Sequence, residues 1–235
     1  MHGKRFRRLR AIAVAAALIG WNGVANPRVP PRWHPLPHAL LGAALTTVTR
    51  APLGLRPPAI WSGLRWGLAA AAAVAGGVAT AAALPGVRSA MRARPLPDSA
   101  ARWLLLGIPI GTVWSEEAAF RGALGALADD GFGPRVGPVL QAAAFGLSHF
   151  GVATAAGSQW AEAEPATRSA ATVVAGTILV TGAAGWVFDR LYRRSGSLAA
   201  SMLAHLAINE AGAVAALVVQ RRGPRGSGER AMPWH

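Results

Sequence analysis

Cysteine is absent from this chain of 235 residues. Disulfides, a thiolate nucleophile and any cysteine-based metal site are therefore excluded. Lysine is almost absent as well, Lys4 being the only one, and acidic residues number 10 against 24 lysines and arginines. No His-Glu-x-x-His helix is present, so nothing local demands zinc. The chain also has no low-complexity region, no obvious internal repeat and no stretch that reads as a soluble domain.

What is present is apolar. Hydrophobic residues make up 52% and charged residues 14%, and the apolar ones come in blocks rather than at amphipathic spacing. Blocks of this kind, bounded by Arg and Pro, read as membrane spans. The net charge of +14 would elsewhere suggest nucleic acid. Here the arginines lie in short segments between blocks, where juxtamembrane residues meet anionic headgroups. The partner is a lipid bilayer, with no nucleic acid. Heavy use of Ala, Gly and Arg suggests a GC-rich bacterial genome and hence the cell membrane. The expected fold is all-α, a polytopic transmembrane bundle of about six to eight helices, with the active site inside the bundle. Residues 1–235 are expected to form a single membrane-embedded domain, with 103–212 as its catalytic core.

Along the chain, the basic run from Lys4 to Arg10 and the apolar Ala11–Ala25 could pass for a signal peptide. No convincing cleavage site precedes the Pro-rich stretch from Pro27 to Pro37, so the reading is a retained first span. Leu36–Thr49 is short for a crossing, which suits a tilted, re-entrant or interfacial helix. Leu53–Trp66 reads as an interfacial connector carrying Arg56, Trp61, Arg65 and Trp66. Leu64–Leu84 spans, with Gly76 and Gly77 small enough for close helix approach. Pro85–Arg102 reads as a polar loop. Trp103–Leu127 spans, and Gly107, Pro109 and Gly111 invite a kink. Asp129–Pro134 is a turn by composition, Val136–Val152 a span, Gly157–Arg168 a polar loop. Thr172–Phe188 and Leu198–Val219 are spans separated by a basic turn, Asp189–Ser197, and a basic tail follows Gln220. That makes six firm crossings and a doubtful seventh; charge bias mildly favours six and leaves the orientation open.

Everything else is arranged around Glu116, Glu117 and Arg121, three ionisable groups within an apolar span. Each costs about 2.5–3.5 kcal/mol at the bilayer centre on insertion scales. On a helix Glu117 and Arg121 share a face, so Arg121 can hold one carboxylate ionised while the other exchanges a proton. His149 lies near the end of the next span. His205 and Asn209, four apart, lie side by side on the last. The Ser195-Gly196-Ser197-Leu198 run reads as a turn with an N-cap. Each group has a structural reading: a Glu–Arg pair that locks helices, an interfacial histidine, interhelical glue. Together they supply a base, a neutralising cation, two imidazoles and an amide donor. That set suits amide hydrolysis: Glu116 and His149 on a water, His205 and Asn209 donating to the developing oxyanion. A metal alternative makes Glu and the two histidines zinc ligands.

Glu-Glu-x-x-x-Arg, Phe-x-x-x-His and His-x-x-x-Asn, in order on successive apolar segments, resemble the CPBP family of intramembrane endopeptidases, which includes the CAAX prenyl proteases and the bacterial Abi-type proteins. Gly185, Ser195–Leu198 and Ala204-His205 are similar to that family's last motif. The resemblance, over roughly Trp103 to Gly212, implies that Glu116 acts with His149 on the catalytic water and that His205 with Asn209 stabilises the oxyanion. It implies that Glu117 and Arg121 support the first pair. The family has been described both as metalloproteases and as metal-free glutamic proteases; the metal-free description is favoured here, with no cofactor. The expected substrate is a peptide or a membrane-protein segment. Two alternatives keep the same residues: a proton-coupled transporter using them as a relay, and a non-catalytic immunity or scaffold protein of the same fold.

Overall fold

The computed structural model describes residues 2–30, 33, 35–94, 96–163 and 169–221, and among these every regular element is helical. Helix α1 (His2–Gly20) runs on through a π-helical turn, Trp21–Ala25, and a 3₁₀ turn, Asn26–Arg28. Then come α2 (Leu36–Thr49), α3 (Ala59–Ala81) and α4 (Pro85–Ala93). One α-helical turn, α5 (Ala100–Arg102), leads into two π-helical segments, Trp103–Trp114 and Glu117–Leu124. The chain finishes with α6 (Gly125–Ser148), α7 (Phe150–Ala163), α8 (Ala170–Ser195) and α9 (Leu198–Arg221).

The exterior identifies the solvent. Leu179 and Val180 on α8 are 72% and 70% exposed, and Leu68, Leu105 and Val139 also point outward. An apolar surface on this scale is unstable in water and suits lipid. Among the described residues, four helical stretches are long and apolar enough to cross a membrane: Gly3–Arg28, Ala59–Ala81, Ala170–Ser195 and Leu198–Arg221. Counting Ala100–Ser148 with Phe150–Gln159, bent by 43°, as one span brings the number to five. The protein is a multi-pass helical membrane protein.

Five is fewer than the six firm crossings and doubtful seventh that the sequence suggests. The expected crossings Trp103–Leu127 and Val136–Val152 both fall in the bent stretch. The turn expected over Asp129–Pro134 contracts to Gly133, whose φ of 82° and ψ of 172° are the break inside α6. Only glycine holds that conformation cheaply, so the neighbouring residues stay helical. The irregularity signalled by Gly107, Pro109 and Gly111 takes the form of the π-helical stretch Trp103–Trp114. Its wider turns accommodate a proline that lacks an N–H, and Ser115 Oγ donates to Ile110 O five residues back at 2.7 Å.

Other boundaries move for similar reasons. Leu36–Thr49 is helical over its whole expected length. The Pro85–Arg102 loop contains α4, which puts half-buried Val87 and Met91 on one face and exposed Arg88 and Arg92 on the other, with Pro85 pre-set for a helix start. The connector Leu53–Trp66 turns helical at Ala59. The loop expected at Gly157 is helical as far as Ala163. Residues 164–168 of that loop, the tail from residue 222 onward, and positions 31, 32 and 34 of the Pro-rich stretch lie outside the described residues. Helix α1 is built into the core: buried Ala15 and Leu18 pack with Ala119, Phe120, Leu124, Ala144 and Phe145. Its basic start reaches α6, where Arg8 Nε donates to Gly131 O at 3.2 Å.

The close approach expected at Gly76 and Gly77 occurs elsewhere. A Cβ at either would meet nothing within 4 Å. A Cβ at Gly63 would lie 2.5 Å from Ser197 Oγ, and one at Gly67 2.8 Å from Leu203 Cδ1. The tight seam between α3 and α9 is therefore at the start of α3.

The basic turn Asp189–Ser197 is also mostly helix; α8 continues to Ser195 and stops at Gly196, whose φ is 70°. Arg193 explains the extension. Its Nε donates to Asp189 Oδ2 at 2.6 Å one turn back, and its two terminal nitrogens donate to Asp129 Oδ2 and Oδ1 at 2.6 and 3.1 Å. Asp189 is fully buried. Arg193→Ala is expected to leave that carboxylate unpaired and to cost about 1–3 kcal/mol of stability, read as a lower unfolding midpoint in detergent. Arg193→Lys is expected to recover only part of the loss, because an ammonium cannot reproduce the forked contact.

Candidate active site

The site grows from the segment Glu117–Leu124, every residue of which is buried. Glu117 and Arg121 lie one turn apart there, with Arg121 Nη1 3.3 Å from Glu117 Oε1 and both side chains fully inaccessible. A buried guanidinium needs a counter-charge, and Glu117 is the adjacent one. The same oxygen takes a second contact: His205 Nδ1–H donates to Glu117 Oε1 at 2.8 Å. A carboxylate oxygen only accepts when ionised, so this bond assigns the proton to His205 Nδ1. The other ring nitrogen, Nε2, lies 3.8 Å from Glu116 Oε2, beyond hydrogen-bond distance. His205 therefore has one edge towards each carboxylate. Ser201, one turn before His205, is buried near Glu117 and donates from Oγ to Leu198 O at 3.0 Å.

Aromatic rings hold the cations. The Arg121 guanidinium carbon lies 3.9 Å above the centroid of Phe145 and 5.0 Å from that of Phe188, which favours a desolvated cation. Phe188 also stacks on His205, with centroids 4.9 Å apart and planes 22° apart. Phe145 stands edge-on to His205 at 6.1 Å and to His149 at 4.8 Å. Gly185 makes room for it, since a Cβ there would lie 2.8 Å from Phe145 Cδ1.

His149 begins beyond the last turn of α6. Its Nδ1 is 2.8 Å from Phe145 O, and a carbonyl can only accept, so Nδ1 carries the proton. In the neutral ring Nε2 then carries the lone pair, as a proton acceptor requires. Ser148 Oγ donates to the same carbonyl at 2.8 Å.

Glu116, Glu117, Arg121 and His205 thus form one contiguous cluster from three expected sources: the acidic pair, its arginine and the last span. His149 joins through Phe145, and no hydrogen bond links it to Glu116. Asn209 is half-buried and turned back on its own helix, its Nδ2 donating to His205 O at 3.1 Å. Sequence reasoning does not reach the clamp residue Phe188, Ser201, or the Asp129–Arg193–Asp189 network. Asp189 and Arg193 sit four apart, as Glu117 and Arg121 do, so that spacing was the available signal; Phe188 had none.

Several buried polar atoms of the cluster make no hydrogen bond within the protein: Glu116 Oε2, Glu117 Oε2 and all three Arg121 nitrogens. A metal fits less well. Among the described residues no three His, Asp or Glu side chains are grouped as a ligand set, and Glu117 is committed to His205 and Arg121.

These are the features of a buried polar cluster enclosed by membrane helices. A family model described as Type II CAAX prenyl endopeptidase Rce1-like matches residues 98–211. Over this region, which holds every residue of the cluster, the chain is similar to the CPBP/CAAX protease family. No curated protein and no solved structure matches the chain.

Proposed function

We propose that this protein is an intramembrane endopeptidase of the cell membrane that hydrolyses a peptide bond in a peptide or membrane-protein substrate. The observation that carries the reading is the buried chain Arg121–Glu117–His205, which ends 3.8 Å from Glu116. Glu117 is engaged through Oε1 by both Arg121 and His205, whereas Glu116 approaches His205 only at 3.8 Å, beyond hydrogen-bond distance, and is the carboxylate assigned to take a proton. In this reading Glu116, aided by the Nε2 lone pair of His149, removes a proton from water as its oxygen adds to the scissile carbonyl. His205, held through Nδ1–H and carrying a proton on Nε2 as well for this step, and Asn209, through the second N–H of its amide, donate to the carbonyl oxygen as it becomes negative. The proton on Glu116 then passes to the departing amine, which restores the carboxylate. Glu117 and Arg121 fix His205 in place.

A cavity of about 250 Å³ beside the cluster supports an apolar substrate residue. Its walls include Val113 and Trp114 just before Glu116, and Met202 and Leu206 on either side of His205. Peptides from membranes with and without the protein supply the substrate for the test. His149→Ala is expected to abolish its cleavage while membrane insertion is unchanged. Prolonged chelation is expected to leave the rate intact, since the roles above use no metal. Full activity in His149→Ala would refute the water-activating assignment, and a chelated enzyme revived by zinc would refute the metal-free one.

A further inference from the structure

Away from the site, α3 and α9 enclose a groove of about 510 Å³. Its walls are aliphatic, among them Val78 and Ala79 on α3, Ala82 directly after it, and Val214, Ala215 and Val218 on α9; the sole charged lining residue is Arg88 of α4. Both walls are candidate membrane spans, so the groove opens towards acyl chains. Helix α4 follows the end of α3 directly and is tied to the end of α9, where Gln220 Nε2 donates to Met91 O and Arg94 O at 3.0 and 2.8 Å. Arg88 therefore sits at the interfacial end of an apolar trough.

Charge decides what fits there. Residues 82–97 contain Arg88, Arg92 and Arg94 and no acidic residue, and neither does the last stretch of α9, residues 211–221. Arg88 is exposed and forms no ion pair among the described residues. A peptide strand is a poor occupant, because aliphatic walls leave its backbone N–H and C=O groups unpaired. An acyl chain has no such groups, and an anionic headgroup supplies the charge that Arg88 lacks. We propose that the groove between α3 and α9 is a binding site for an anionic phospholipid, one acyl chain lying along the Ala/Val walls and the phosphate on Arg88.

The test uses the full chain, delipidated and titrated with phosphatidylglycerol or phosphatidylcholine of identical acyl chains, with bound lipid read by native mass spectrometry. Wild type is expected to retain phosphatidylglycerol about fivefold better, the factor one arginine near a charged lipid surface provides. Arg88→Gln is expected to remove that preference, and Arg92→Gln, outside the groove lining, to keep it. Ala215→Phe is expected to reduce retention of both lipids, with circular dichroism as the control for folding. Glycerophosphoglycerol, which has no acyl chain, is expected not to bind. Equal retention of the two lipids by wild type, equal effects of Arg88→Gln and Arg92→Gln, or binding of the acyl-free headgroup would each overturn the proposal. None of these readouts involves peptide hydrolysis.

Discussion

Glu116→Gln is expected to lower peptide hydrolysis by about 10²–10⁴-fold, the range a positioned general base contributes. The amide keeps the shape of the side chain and its place near His205 but cannot take the proton of water. Binding of the uncleaved substrate is expected to change little, so the loss falls on kcat rather than KM. Glu116→Asp is the informative companion. It keeps the carboxylate but withdraws it by one methylene, and an intermediate rate is expected if distance to the water matters. The measurement is cleavage of the membrane-derived substrate by purified variants in lipid nanodiscs. Wild-type rates in Glu116→Gln would leave the cluster as a helix lock, which is the structural reading of a buried Glu–Arg pair.

Glu117→Ala is expected to damage the fold rather than only the chemistry. Arg121 is fully buried and Glu117 is its adjacent counter-charge; removing one member of a buried pair costs about 3–5 kcal/mol. His205 loses the acceptor of its Nδ1–H in the same step. Arg121→Met alone is expected to be less harmful, because His205 continues to hold Glu117. The double variant Glu117→Ala/Arg121→Met is expected to be more stable than Glu117→Ala, since no uncompensated guanidinium remains between Phe145 and Phe188. A double-mutant cycle on the unfolding midpoint measures this coupling. Additive effects would mean that the two charges are balanced by other groups. The contrast between the two glutamates is itself a claim: Glu116 is expected to be dispensable for stability, and Glu117 is not.

The elements of this fold were legible where local chemistry decides them. Leu36–Thr49 is helical as the apolar pattern suggested, and α9 starts at Leu198, directly after the turn centred on Gly196. The site was legible in part, because Glu117 and Arg121 are four apart and any helix turns them to one face. The partners of that pair were not. His205 is 88 residues from Glu117, and Asp129 is 64 from Arg193; no local periodicity connects such positions. The seam at Gly63 and Gly67 illustrates the same limit. Gly76 and Gly77 carry as good a close-approach signal, yet they face open space.

The sequence by itself determined that the chain is a bundle of apolar helices, because blocks of Ala, Val and Leu have no stable state in water and a lipid-exposed backbone must close its own hydrogen bonds. It also determined that Glu116, Glu117, Arg121, His149 and His205 need special surroundings, because ionisable groups in such blocks are costly anywhere else. Only the tertiary structure decided that His205 turns one nitrogen to each glutamate, that Phe145 and Phe188 hold Arg121, and that Asn209 bonds back to its own helix. Which helix faces meet depends on the summed fit of many distant side chains, and single contacts of about 1 kcal/mol become decisive only once the whole bundle has closed around them.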